Sequence, residues 1–300
     1  MKIRLFLLFL LLLSLPPAPA ESRIFRETDV LPTTPVPVIG ANRIATSRPR
    51  ESLMELAYRE GVGFNNLVAA NPDLDPWLPQ PGTEVLLPTS TLLPPDTEPG
   101  ITINLAEFRL YYVWEEKGMR MVRIYPIGIG TEGWDTPEGN FTIRRKVRSP
   151  VWTAPLSIRL AEPDRPVKIP PGPDNPLGDY WLGLSVNGYG IHGTNKPLGV
   201  GRRVSHGCIR LYPDDIRDLF RRVRIGTPVR TIYQPIKLGK EEEKLLLEVH
   251  ADYLGKMDNP LEEVLRQKRA LHWKGPIDLP TLLRILREAR GVPEPLFLQK

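Results

Sequence analysis

A single cysteine occurs in this 300-residue chain, and Cys208 lies in the stretch Ser205-His206-Gly207-Cys208-Ile209-Arg210-Leu211. A thiol beside a histidine, an arginine and a flexible glycine has the surroundings that favour a thiolate, whereas structural cysteines sit inert in apolar cores. Cys208 is therefore a candidate nucleophile. An unperturbed thiol titrates near ~8.5, so chemistry near neutral pH calls for a base. His206 stands two residues before Cys208 and His192 sixteen before it. In extended backbone, positions i and i+2 face the same side, so His206 can reach the thiol. His192 can face it across a sheet if Gly190-Ile191-His192-Gly193 ends one strand and Ile209 begins its neighbour. Spacing alone leaves the two roles open. The backbone N–H groups of Gly207 and Cys208 are candidate donors to an oxyanion, and Arg210 supplies a fixed charge suited to a carboxylate. A zinc site made of Cys208, His206 and His192 lacks a fourth ligand, and His250 and His272 have no partner at metal-ligand spacing. No metal or other cofactor is expected.

The elements that must position these groups follow from periodicity and turn chemistry. Ile101 to Leu105 alternates with period two, and Phe108–Trp114 and Met119–Tyr125 flank a four-residue hairpin connection, Glu115 to Gly118. A strand over Phe141–Val147 follows, then a Pro- and Gly-rich loop over 161–178, and strand-like sequence from Trp181 to Ile191 that delivers His192. After Leu211 a helix carries Ile216, Leu219 and Phe220 on one face, and Val229–Tyr233 closes with a strand. Upstream, residues 41–89 form a compact unit with two short helices between two short strands, a βααβ arrangement. Its first helix is capped near Glu51-Ser52 and stopped at Gly61; Asn65 begins the second. Residues 240–300 read as a helical extension, with Asn259-Pro260 starting one helix and Gly291 ending another.

The ends and the charge bound the compartment. Lys2 and Arg4, the apolar run Leu5–Leu15 and Ala18-Pro19-Ala20 have the layout of a secretory signal peptide over residues 1–20, too short for a transmembrane span. Residues 21–40 are a Pro-rich linker. Removing the leader lowers the formal charge from +5 to +3. That mild basicity suits carboxylate-rich substrates, and the scattered Lys and Arg residues do not form a nucleic-acid stripe. An exported chain with one cysteine has no internal disulfide, so the thiol is a bystander or a reactive group.

Ile191-His192-Gly193-Thr194-Asn195, Gly201 and Ser205–Leu211 resemble the signature of the L,D-transpeptidases of the YkuD family, as do Thr136-Pro137-Glu138-Gly139-Asn140-Phe141 and Pro176-Leu177-Gly178. The resemblance covers roughly residues 100–234 and implies a mainly β, sandwich-like catalytic domain. It implies that Cys208 is the nucleophile, that His192 is the base and acid, and that the Gly193 carbonyl orients His192. Gly207, His206 and Ser205 then support the oxyanion side, and Arg210, Thr194 and Asn195 contact substrate. The implied substrate is the tetrapeptide stem of peptidoglycan. The thiolate attacks the diaminopimelate carbonyl, D-alanine leaves, and an amine resolves the thioester. Water in place of the amine makes a carboxypeptidase or endopeptidase, and an inert domain makes a wall-binding scaffold. Residues 41–89 resemble a LysM module, through Ser52-Leu53, Ala57, Tyr58, Ala70-Asn71-Pro72 and Leu86-Leu87-Pro88, although Arg50-Glu51-Ser52-Leu53 departs from that family's Gly-Asp-Thr-Leu. Together these units resemble the periplasmic subgroup that attaches an outer-membrane lipoprotein to the wall. That implies a lipoprotein acceptor or direct diaminopimelate crosslinks, and a thiol reductase as partner.

Overall fold

The computed structural model describes residues 29–30, 37–241 and 243–296. Residues 1–20, expected to be a leader, and most of the expected linker lie outside the described residues; among the described residues no helix is long and apolar enough to cross a membrane. The main sheet has nine strands: β1 (Asp29–Val30), β2 (Gly100–Asn104), β3 (Arg109–Glu116), β4 (Met119–Pro126), β5 (Gly139–Arg148), β6 (Tyr180–Leu184), β7 (Gly190–His192), β8 (Ile209–Arg210) and β9 (Pro228–Ile232). Their spatial order is β1-β4-β3-β2-β9-β5-β6-β7-β8. Only the β2–β9 and β7–β8 pairs are parallel. The fold is mainly β, as the sequence implies.

Two local readings sharpen. The β3–β4 connection is the two-residue turn Lys117-Gly118, both with positive φ, which matches the twist of a hairpin better than a four-residue loop. The stretch from Trp181 to His192 is a hairpin, not one strand. β6 and β7 pair antiparallel, with Trp181 opposite His192. Alternation alone does not reveal a reversal inside an apolar run.

Below the sheet, Ile103, Leu110, Tyr125, Ile143, Leu182, Ile191, Ile209 and Leu211 form one core with Ile216 and Leu219 of a helix, Pro213–Arg222. That helix has proline in its first turn beside Asp214 and Asp215, and Arg221 and Arg222 in its last, which complement its dipole. The N-terminal unit has its own core around Leu53, Leu56, Leu67 and Val85. Its helices are α1 (Leu53–Glu60), with a Ser52/Glu55 capping box and a left-handed Gly61, and α2 (Phe64–Ala70). Phe64 N–H and Asn65 N–H donate to the Val200 and Gly201 carbonyls, and the Tyr212 hydroxyl donates to the Val62 carbonyl at 3.0 Å, so this unit grips the chain on both sides of Cys208.

The segment expected to be helical from residue 240 starts differently. It opens on a β-hairpin, Ile236–Glu241 with Lys244–Val249, and both helices follow, Pro260–Ala270 and Leu279–Glu288. Leu245, Leu246 and Leu247 are all buried, and a run that short reads alike as strand or helix until its pairing partner is known.

Candidate active site

Register brings the thiol and the imidazole together. β7 runs parallel to β8 with Ile191 opposite Ile209 and His192 opposite Arg210, so the turn bearing Cys208 lies at the edge beside β7. The turn is closed by side chains. Ser205 Oγ donates to the Cys208 carbonyl at 2.6 Å and accepts from Gly207 N–H at 3.1 Å. Thr136 Oγ1 donates to the Gly207 carbonyl at 2.9 Å. Gly207 has φ +94°, and a Cβ there would stand 2.6 Å from the Tyr189 ring, so only glycine fits.

The Gly207 N–H is bonded to the Ser205 hydroxyl here, which gives Gly207 the supporting part of its expected role.

His192 is buried, and its Nδ1 lies 2.6 Å from the Gly193 carbonyl. A carbonyl only accepts, so Nδ1 carries the proton and Nε2 is left as the basic nitrogen. The Trp181 indole stacks on the ring, with centroids 5.5 Å apart and planes at 22°. To reach it, the indole crosses Gly190, where a Cβ would lie 2.4 Å from the Trp181 ring. Trp181 and Thr136 are therefore site residues that composition did not single out. Thr136 belongs to the Thr-Pro-Glu-Gly block already noted, whereas the role of Trp181 depends on hairpin register.

The remaining expected residues divide. His206 is exposed and tilts against Trp134 with ring centroids 5.1 Å apart, pointing to a role on the rim and not as the base. Arg210 is half-buried, and its Nε is buried without a hydrogen-bond partner. Thr194 and Asn195 are engaged elsewhere. Thr194 Oγ1 accepts from Lys196 N–H at 2.9 Å, and Asn195 Nδ2 donates to the Asp174 carbonyl at 3.0 Å. With Gly178 and Asp179 they line a recess of about 310 Å³ that neither Cys208 nor His192 borders. As placed here they hold a loop and do not meet the thiol.

Electrostatics oppose a preformed ion pair. Burial pushes the Cys208 thiol above its ordinary value, against the pull of the Gly190 N–H and the Arg210 charge. Burial and then the Arg210 charge push His192 down to about 3, while the Gly193 hydrogen bond works the other way. Both groups are neutral at neutral pH, and the thiol also makes a long contact, 3.5 Å, to the Gly188 carbonyl. Iodoacetamide should therefore alkylate the free protein slowly near pH 7, its rate rising through an inflection above the ordinary cysteine range. A rate that stays flat from pH 6 to 9 would contradict this picture.

Residues 98–231 match the YkuD model, described as an L,D-transpeptidase catalytic domain. The chain is 40% identical over 242 residues to an Escherichia coli protein named probable L,D-transpeptidase YcfS, covering 76% of this chain and 75% of that one. It is 41% identical over 229 residues to another from the same organism named probable L,D-transpeptidase YbiS, covering 73% and 74%. The carbamoyl enzyme formed by Ldtfm with avibactam superposes on 47% of this chain and 51% of its own, at 25% identity and a TM-score of 0.36.

Proposed function

The chain belongs to the YkuD family of L,D-transpeptidases, and from that premise we propose that Cys208 carries the peptidoglycan donor stem as a thioester with His192 moving the protons. The observation that carries this reading is the 2.6 Å contact from His192 Nδ1 to the Gly193 carbonyl, which leaves Nε2 free on the strand beside the thiol's turn. When the donor binds, a stem carboxylate near Arg210 offsets the charge that depresses His192, so the imidazole becomes more basic with substrate in place. Nε2 takes the thiol proton as sulfur attacks the diaminopimelate carbonyl. The Cys208 N–H faces the developing oxyanion. The tetrahedral species collapses, the C–N bond breaks, and D-alanine leaves with the proton from His192. An incoming amine then loses its proton to His192, attacks the thioester carbonyl and releases the thiol.

The enzyme acts outside the cytoplasm once residues 1–20 are removed, and its acceptor is a lipoprotein lysine or a second diaminopimelate. A thiol reductase would keep Cys208 reduced there. Residues 41–89 serve as a LysM-like module that binds the glycan. The catalytic domain spans 100–234, and residues 240–300 form a C-terminal region of two helices joined to a small sheet. The test is release of D-alanine from tetrapeptide stems with and without an amine acceptor. Acceptor-dependent release with an amide-linked product is expected. Equal release without any linked product would replace the transferase by a hydrolase. Muropeptide mass spectrometry of cells overproducing the protein separates wall-linked lipoprotein from direct crosslinks.

A further inference from the structure

Residues 130–136 form a loop that is bonded to the catalytic turn at both ends. At its start Thr131 N–H donates to the Ser205 carbonyl at 2.9 Å, and at its end Thr136 Oγ1, which closes on the Gly207 carbonyl, also accepts from Gly130 N–H at 3.0 Å. Within it, Trp134 N–H donates to the Thr131 carbonyl at 3.0 Å, and a Cβ at Gly130 would stand 2.0 Å from the Trp134 carbonyl. Arg203 Nη2 pairs with Asp135 at 2.9 Å, and its guanidinium lies 5.1 Å from the centre of the Tyr253 ring, so the C-terminal region braces the loop as well. The loop is a built element, fixed against the turn that bears Cys208.

What it displays is an indole. Trp134 is 44% exposed, and its ring meets that of His206, also exposed, with planes tilted by 56°. Single exposed apolar residues are ordinary on a protein surface, but here two rings stand together on fixed backbone beside the nucleophile. An aromatic face is negative and is matched by C–H bonds that carry slight positive charge. Of the parts of a peptidoglycan donor, a pyranose ring offers a face of that kind, and its hydroxyl and acetamido groups suit the imidazole nitrogens. The stem offers mainly amides and carboxylates, and Glu132, exposed in the same loop, disfavours the carboxylates.

The lengths agree. His206 is two residues from Cys208 and the indole a further 5.1 Å away, which puts the two rings on the order of 10 Å from the sulfur. In the donor, two residues and the link to the sugar separate the attacked diaminopimelate from the glycan, again on the order of 10 Å of extended chain.

We propose that Trp134 and His206 form a platform on which a pyranose ring of the glycan strand stacks while its stem enters the catalytic turn. The inference rests on the transpeptidase reading above and names a part of the donor that the turn itself does not reach. The platform makes the enzyme selective for stems still attached to glycan over free tetrapeptides.

The test uses the full mature chain and two donors, a free tetrapeptide and the same tetrapeptide on its disaccharide, with a fixed amine acceptor. Wild-type enzyme is expected to favour the disaccharide donor by about 3- to 10-fold in kcat/KM, the scale of one aromatic contact. Trp134→Ala should remove most of that preference, mainly through KM for the disaccharide donor. Trp134→Tyr should restore part of it, because a flat ring returns. A wild-type ratio near one, a ratio unchanged in Trp134→Ala, or equal losses on both donors overturns the platform. A wild-type enzyme inactive on both donors overturns the transpeptidase reading instead.

Discussion

Cys208→Ala is expected to leave a folded protein that neither releases D-alanine nor forms a linked product. The reaction passes through a bond to sulfur, and no other thiol exists in the chain to replace it. A loss on the order of 10⁴-fold or more is expected where a covalent nucleophile is removed. The fold should survive because the side chain is half-buried in a turn and its contact to the Gly188 carbonyl is long, at 3.5 Å. Stability should stay within about 0.5 kcal/mol. His192→Gln separates the thiol from its base and should cost on the order of 10²- to 10⁴-fold in turnover. It keeps the strand pairing of β7 but removes the group whose Nδ1 rests on Gly193. Intact mass after incubation with donor reads the acyl-enzyme directly. An acyl adduct or released D-alanine from Cys208→Ala would remove the nucleophile assignment.

Glu248→Ala should unfold the protein at much lower temperature, although the residue is far from the thiol in sequence. Its carboxylate is fully buried and accepts from Arg109 Nη1 at 2.8 Å, His250 Nε2 at 2.8 Å, Thr91 Oγ1 at 2.9 Å and the Leu92 N–H at 2.6 Å. Lys237 Nζ lies 3.1 Å from it and 2.8 Å from Glu107. The Tyr111 hydroxyl donates to Glu107 as well. These groups come from the strand after the N-terminal unit, from the catalytic sheet and from the C-terminal hairpin, so one buried cluster joins all three. Removing Glu248 leaves Lys237 and Arg109 with a single carboxylate. Breaking a buried pair in this way costs about 3–5 kcal/mol, which corresponds to a fall in melting temperature on the order of 10 °C. Replacing Lys237 with Met removes a cation and should be milder, because Arg109 and His250 still answer Glu248.

The same cluster carries an acid dependence with a definite sign. Burial acts to raise the Glu248 pKa, but Lys237, His250 and Arg109 outweigh it and hold the carboxyl well below the usual range. A depressed carboxylate contributes stability that is present above the unfolded value and lost as pH falls through the folded one. Melting temperature should therefore fall steadily below about pH 4.5 in wild type, and the fall should be shallower in Glu248→Ala. Parallel curves for the two proteins would assign the acid loss to other groups.

Much of the site was readable from residue types. A lone thiol in a polar, glycine-bearing stretch, two histidines at short intervals and an adjacent arginine are chemistry that needs no coordinates to notice. Helix ends were readable too, because capping is local: Ser52 with Glu55, Gly61, and Asn259 with Pro260 all lie within a few residues of the bonds they make. The reversal between β6 and β7 was not readable, since Trp181 and His192 meet only through cross-strand register. Nor was the bond from the Gly207 N–H to Ser205, which depends on where the Ser205 hydroxyl turns.

The sequence by itself determined the candidate nucleophile and its family setting, because a single cysteine and its immediate neighbours are facts of the chain. It also determined the order of the three units, since apolar periodicity and proline-rich breaks are written along the backbone. The tertiary structure alone decided that the His192 ring is held by the Gly193 carbonyl and stacked by Trp181, and that the Thr194 and Asn195 side chains bond to Lys196 and Asp174. It alone placed Glu248, Lys237 and Arg109 in one buried cluster. The physical reason is the same in each case. Hydrogen bonds and charges act over a few ångströms of space, and residues separated by tens or hundreds of positions acquire that proximity only when the sheet is paired and the three units are packed together.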